Sequence, residues 1–414
     1  MEAQQDSRAA TRAKGPILAV FLDGLGADAL DRMPFLASQP TVRRLRTELG
    51  YSITCHASMY TGLRPDRHGL WFVWQRDPRR SPFRWLRRLR FLDAVDNLPL
   101  HMAATKVTRR FVRTTSWFGI PYPVHVPWRY LPELDVSERK LWSDPGYLDT
   151  APTIFDRMRS AETPFEIVGM SREGLTGLEA VQAWAPADDV PPLTYLFAGE
   201  IDHASHAHGQ GSAEVGALLA RVDHLIEDHF AALMRRSPEA ELVVWSDHGH
   251  HDVQRIDPLD LLREHGISVR RHLHVIDTNF IRFWIDSDAE RRAMAERLNG
   301  LGVGHVLSEA ELREHRVRMP DDRYGNLIFY LDLPYAFGRT IWGWGRRLAS
   351  AHGYLPDYPG SDGVFVSTRV GARAEMHLVD VAPTLLEMLG LEIPADLDGR
   401  PAWAVNPPGV PPDR

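Results

Sequence analysis

The chain has 414 residues, 44% hydrophobic and 25% charged, an ordinary globular balance with enough apolar material for a sizeable core and no internal repeat or long low-complexity tract. Its net charge of −7 argues against a general nucleic-acid binder, and one cysteine, Cys55, excludes an internal disulfide framework and fits a reducing compartment. With no signal-like apolar start and no membrane-length apolar run, the expectation is a soluble cytoplasmic protein.

Pro16 to Leu22 is a short continuous apolar run, the pattern of a parallel strand buried on both faces. It ends at Asp23-Gly24, so a carboxylate stands at a strand's carboxyl end, where open α/β sheets bind ligands. An Asp in that place also serves as a plain helix cap. Leu36 to Leu49 reads as a helix with an arginine-rich, solvated face, and Tyr51 to Thr54 as a short strand leading into a helix near His56. A hydroxyl at that junction, Ser52 or Thr54, faces helix N-terminal amides and so a phosphate cradle.

From Trp71 the composition changes, with Arg76, Arg84, Arg87 and Arg88 interleaved with Trp74, Phe83 and Trp85. This stretch reads as a basic-aromatic cap inserted over 71–150, fit for an anionic substrate or peripheral contact with an acidic membrane surface, with Arg76 and Trp74 as substrate-binding candidates. The plainer alternative has the aromatics packed on the core and the arginines solvated.

The α/β rhythm returns with strand-like runs at Pro164–Gly169 and Leu193–Ala198. The second runs into a segment where Asp202 and His206, four apart, reach one metal ion if it is a turn or helix; His203 and His208 lack that spacing. Ala213 to Met234 is an amphipathic helix that Ser212 can cap. Glu241–Ser246 is a further strand, ending in Asp247-His248-Gly249, after which His250 and His251 read as pointing away. Residues 266–335 read as a small α+β lobe, His352-Gly353 as a loop, and Gly363–Ser367 as the last core strand.

Singly, each of Asp23, Asp202, His206, Asp247, His248 and His352 has a purely structural role open to it. Together they fall in four loop groupings, three of them directly after a strand end, and parallel strands bring such ends to one edge. Three Asp and three His suit Zn²⁺, with Mn²⁺ or Fe as alternatives, and exceed what one four-coordinate ion needs. Two divalent ions are the usual arrangement for phosphoryl transfer.

These motifs resemble the alkaline phosphatase superfamily, most closely its type I phosphodiesterase/nucleotide pyrophosphatase branch. The branch's first strand ends in Asp-Gly, as Asp23-Gly24 does here, and its nucleophile lies nine residues before a Thr-Gly, which gives Ser52 from Thr61. Its Pro-x-x-His-Gly is present as Pro65 to Gly69, its Asp-x-x-x-His as Asp202 and His206, its Ser-Asp-His-Gly as Ser246 to Gly249, and its late His-Gly as His352-Gly353. The resemblance implies an α/β fold, an alkaline-phosphatase-like α/β/α sandwich with a mainly parallel sheet, in one catalytic unit over 1–414. It implies one ion held by Asp202, His206 and His352, and a second held by Asp23, Asp247, His248 and the Ser52 oxygen. The expected activity is metal-dependent phosphodiester or pyrophosphate hydrolysis through a phosphoserine, on a small phosphorylated substrate that is nucleotide- or lipid-linked, and not on nucleic acid. The alternatives are a phosphomonoesterase or phosphotransferase on the same core, and a non-catalytic anionic-lipid binder. The chain departs from the branch in three ways: serine replaces threonine as nucleophile, the sulfatase pattern is missing, and Val73 stands where the pyrophosphatases place an asparagine.

Overall fold

The apolar run after Pro16 forms β1 (Ile17–Leu22), buried along its whole length. It joins β2 (Thr41–Arg46), β3 (Phe165–Val168), β4 (Leu193–Ala198), β5 (Glu241–Trp245), β6 (Gly363–Ser367) and β7 (Met376–His377) in a seven-stranded sheet of order β7-β2-β6-β5-β1-β4-β3. β4 and β5 flank β1 in parallel, β3 pairs in parallel with β4, and β6 runs against both its neighbours. The computed structural model describes residues 12–95, 98–112, 114–116, 119–170, 176–338, 340 and 348–403, except the side chains of 90–99.

Alternation along the strands divides the core into two layers. Ile17, Ala19, Phe21, Tyr195 and Trp245 pack with α1 (Ser52–Thr61), while Leu18, Val20, Leu22, Leu196 and Val244 pack with the long α3 (Ala213–Arg236) that follows α2 (Glu200–His208). Ser212 caps α3 through Val215 N, 3.2 Å away. The result is the α/β/α sandwich with a mainly parallel sheet that the resemblance implied.

Two local expectations fail. The segment read as a helix over Leu36–Leu49 contains β2, with only a single helical turn at Pro34–Ala37 before it. Tertiary pairing decides there: β2 lies between β6 and β7, and Arg43 is drawn in by the carbonyls of Arg373 and Ala372 rather than solvated on a helix face. Tyr51–Thr54 is not a strand either, because α1 begins at Ser52 itself, with Tyr51 as the N-cap residue.

Within 266–335 an antiparallel sheet of Leu273–Ile276, Phe280–Trp284, Leu327–Leu331 and Gly304–Val306 packs its own core, including Ile281, Phe283, Leu298 and Phe329. The insertion after Trp71 is tied in by a hairpin, Trp74–Arg76 against Leu134–Val136, and carries a helix at Leu98–Phe111. A buried Arg282 joins lobe to hairpin. Its Nε donates to Asp277 Oδ2 at 2.9 Å, its Nη1 to Trp74 O at 2.8 Å, and its guanidinium lies 4.0 Å from the centre of the Phe72 ring. Among the described residues no helix is long and apolar enough to cross a membrane.

Candidate active site

The register Leu22↔Ala198 and Phe21↔Trp245 ends β1, β4 and β5 at the same edge of the sheet. Asp23, Asp202 and Asp247 follow those ends and are laced together by backbone. Asp202 N donates to Asp23 O at 3.1 Å, and Gly24 N to Asp247 Oδ1 at 3.2 Å. Gly24 has φ of 74°, and a Cβ on it would lie 2.9 Å from both Asp202 Cβ and His250 Nε2. Only glycine leaves that space open.

At the first turn of α1, Ser52 Oγ sits 3.1 Å from His248 Nε2. That nitrogen is also 3.2 Å from Asp247 Oδ2 and 3.7 Å from Asp23 Oδ1. The other hydroxyl candidate is spoken for: Thr54 is fully buried and donates to Trp71 O. Cys55 is a packing residue beside Thr47, and burial pushes its thiol pKa well up. Val73 is buried in the core, so no polar group stands at that position.

The second grouping surrounds one oxygen. Nε2 of His250, His206 and His352 lie 3.1, 3.3 and 3.5 Å from Asp202 Oδ1. His206 Nδ1 is 2.8 Å from Ser350 O, and His248 Nδ1 is 3.2 Å from Gly249 O. A carbonyl only accepts, so in the neutral rings these contacts assign the proton to Nδ1 and leave each Nε2 with a lone pair, while a second proton on Nε2 turns it into a donor toward the carboxylate it faces. The His352 ring stacks on that of His248 at 3.7 Å between centroids.

His250 corrects the sequence reading: its side chain is fully buried and turned into the site. His251 does point away, to Ser361 Oγ, and His203 and His208 are exposed. Of the substrate-binding candidates, Trp74 lies inside the cap hairpin and Arg76 on its edge. Trp74 is fully buried against Phe83 because it closes the cap hairpin, and Arg76 is committed to Glu133 at 2.9 Å.

Electrostatics separates the carboxylates. Burial, then the charges of Asp247 and Asp202, hold Asp23 well above the usual carboxylate range, and burial raises Asp247 too. Burial also acts to raise Asp202, but His206 and the hydrogen bonds of His206 and His250 outweigh it and hold Asp202 well below. Burial lowers His250 to about 4.

One asparagine holds the flanks of the site together. Asn279, from the lobe, accepts from Tyr51 Oη just before Ser52 and donates through Nδ2 to Gly353 O, 2.7 Å away, just after His352.

The donor set fits divalent cations on two observations. Asp23 Oδ1, Asp247 Oδ2 and His352 Nδ1 are buried without a hydrogen-bond partner, and a Cβ at Gly24 would fill the gap between Asp202 and His250. The ligand atoms also fall into three close groups, Asp23–Asp247–His248, Asp202–His206–His250 and Asp202–His248–His352.

The profile of the family described as type I phosphodiesterase / nucleotide pyrophosphatase matches residues 17–355. The chain belongs to that family. This places it among phosphodiester and pyrophosphate hydrolases and accounts for the core from β1 to His352. Among solved structures it is similar to murine ectonucleotide pyrophosphatase / phosphodiesterase 5, with 16% identity, a TM-score of 0.63, and coverage of 92% of this chain and 97% of that one. An inactive form of the murine protein in complex with AMP gives 16% identity, a TM-score of 0.64, and coverage of 93% and 98%. The human counterpart gives 14% identity, a TM-score of 0.64, and coverage of 92% and 96%. At these identities the likeness is one of fold. No curated protein matches the chain.

Proposed function

We propose that the protein hydrolyses a phosphodiester or pyrophosphate by attack of Ser52 Oγ on phosphorus, through a phosphoserine that water then cleaves. The observation that carries this reading is the position of Ser52 Oγ, at the N-terminus of α1 and 3.1 Å from His248 Nε2, with Asp23 and Asp247 converging on the same nitrogen. Asp23, Asp247, His248 and Ser52 would hold one divalent ion; Asp202 and His206 would hold a second, with His352 beside them, Zn²⁺ being the best chemical match. When bound, the two ions supply the positive charge that lowers the hydroxyl's pKa and offsets charge developing on the phosphoryl and leaving oxygens. The N-terminal dipole of α1 acts in the same sense on Oγ and on the incoming phosphoryl group.

Charge sets the ester class. Three carboxylates and a serine alkoxide bring two dications to about neutral, which suits a diester monoanion; a monoester dianion asks for an added arginine. Arg64, the first arginine after Ser52 in sequence, is paired with Glu48 at 3.1 Å. A nucleotide-like substrate is supported by the family and by the AMP bound to the murine relative. The test compares bis-p-nitrophenyl phosphate with p-nitrophenyl phosphate on wild type and Ser52→Ala in Zn²⁺ or Mn²⁺. Preference for the monoester sinks the substrate class, and full activity in the variant sinks the nucleophile.

A second reading concerns the cap. Trp85, Val107 and Phe111 are exposed by 44, 42 and 80%, among exposed Arg84, Arg87, Arg88, Lys106 and Arg110. Trp85 Nε1 donates to Thr108 Oγ1 at 3.2 Å, which sets the two segments side by side. Aromatic and basic side chains on one face suit peripheral contact with an anionic bilayer. Co-sedimentation with phosphatidylglycerol vesicles but not with pure phosphatidylcholine, lost in Trp85→Glu/Phe111→Glu, is the expected result. Equal behaviour on both vesicle types removes the reading.

A further inference from the structure

We infer that His250 is itself a ligand of the ion at Asp202, oriented for that task by Ser350. This rests on the two-ion reading above and adds to it a residue outside the Asp202, His206 and His352 set that the family resemblance implies. Proton placement decides the matter. Ser350 Oγ lies 2.6 Å from Ser205 O and 3.1 Å from His250 Nδ1. Its single proton goes to the Ser205 carbonyl, which can only accept, so toward His250 the hydroxyl oxygen accepts and Nδ1 donates. That leaves Nε2 of the neutral ring as a bare lone pair, buried, and aimed at Asp202 Oδ1 from 3.1 Å.

The lone pair of a neutral ring facing a carboxylate oxygen at that distance is repulsive unless an added proton or a metal cation joins them, and a divalent ion joins all the surrounding donors at once. The same residue repeats the arrangement for His206, whose Nδ1 meets Ser350 O at 2.8 Å and whose Nε2 faces the same Asp202 oxygen from 3.3 Å. Ser350 therefore sets two imidazoles, through its carbonyl and its hydroxyl. It is held in turn by the short antiparallel pairing of Ser350–Ala351 with His251–Asp252. Such outer partners fix a metal-binding histidine's tautomer and raise its affinity. Gly24 adds a steric reason: a side chain there would meet His250 Nε2 at 2.9 Å. With His352 Nε2 3.5 Å from the same oxygen, Asp202 stands among three imidazoles, a four-donor set that matches in number the Asp23, Asp247, His248 and Ser52 set across the site.

The test is a Zn²⁺ titration of the full-length protein against a chromophoric chelator, with circular dichroism of the metal-free forms as the folding control. Wild type should bind two ions, and chelator should strip them in two phases. His250→Ala should lower the affinity of one of the two sites, the one at Asp202, by roughly 100-fold. Ser350→Ala, which keeps the carbonyl for His206, should lower it by about 10-fold, within the range for lost outer partners. His250→Gln keeps an N–H for Asp202 but offers no imidazole and should bind as weakly as the alanine variant. Wild-type affinity in His250→Gln or in His250→Ala would mean that His250 only hydrogen-bonds Asp202, and would overturn the inference while leaving the two-ion reading standing. If wild type itself bound no Zn²⁺, the two-ion reading would fail and the inference with it.

Discussion

Around Asp202 one carboxylate oxygen faces three imidazole nitrogens, whereas around Ser52 two carboxylates share a single imidazole. The difference shows in proton affinity: Asp202 is held well below the usual carboxylate range, while Asp23 and Asp247 are held above it, burial being the leading cause for both. The first half is close to balanced by its own histidines. The second is balanced only with outside positive charge, and that is the half that carries the nucleophile.

The comparison breaks most sharply at Ser52. Ser52→Ala should lower diester hydrolysis by ~10³-fold or more in steady-state kinetics while Zn²⁺ binding at Asp202 persists. A loss of both would mean that the two halves are one cooperative site. A carboxylate with a permanent cation gives a reference point. Asp277 is paired with Arg282 in the lobe, both without exposed side-chain surface. Arg282→Met should destabilise the fold by about 3–5 kcal/mol in urea titrations, because an uncompensated Asp277 stays buried.

Glu138 is the opposite reference, a buried carboxyl with hydroxyl partners, Ser116 and Tyr147, at its two oxygens. Burial raises it to about 7 from 4.5. Its folded form therefore holds a proton that the unfolded chain has lost, so its contribution to stability is complete below about pH 4.5 and disappears as pH rises through about 7. Glu138→Gln should remove that slope and gain up to about 3 kcal/mol at pH 8, read as midpoint shifts across pH 5 to 8. The finest test lies inside the site. In metal-free protein at pH 6, where His206 carries its second proton, Asp247→Asn should raise Tm, since it removes a carboxylate that burial penalises. Asp202→Asn should lower Tm, since it removes one that protonated His206 stabilises. Shifts of the same sign would erase the distinction between the halves.

Much of this site is legible in the chain because its chemistry sits at strand ends. Asp23 and Asp247 each follow an uninterrupted apolar run, and a run that short and that apolar fits a strand buried on both faces. Asp202 and His206 needed only the helical spacing that α2 supplies. β2 was hidden because its arginines look like a solvated helix face, and only the carbonyls of residues 372 and 373, far off in sequence, give Arg43 its place. His250 was hidden by treating the second histidine pair as a unit. In an extended segment residues two apart share a side, so His250 follows His248 into the site while His251 turns out, and that alternation was available in the sequence. For Trp74 and Arg76 composition is silent in another way: an aromatic-basic pair reads the same whether it meets a ligand or closes a hairpin.

Asn279 gives the small lobe a mechanical meaning. Its one side-chain amide spans the phenol of Tyr51, the residue just ahead of the nucleophile, and the Gly353 carbonyl just past the last histidine, two stretches far apart in the chain. The lobe thus acts as a spacer gauge that sets how widely the two flanks of the site stand open. For anyone shortening the protein to its sheet and covering helices, the cut would remove no reacting atom and would still leave the nucleophile and the final ligand without a common ruler.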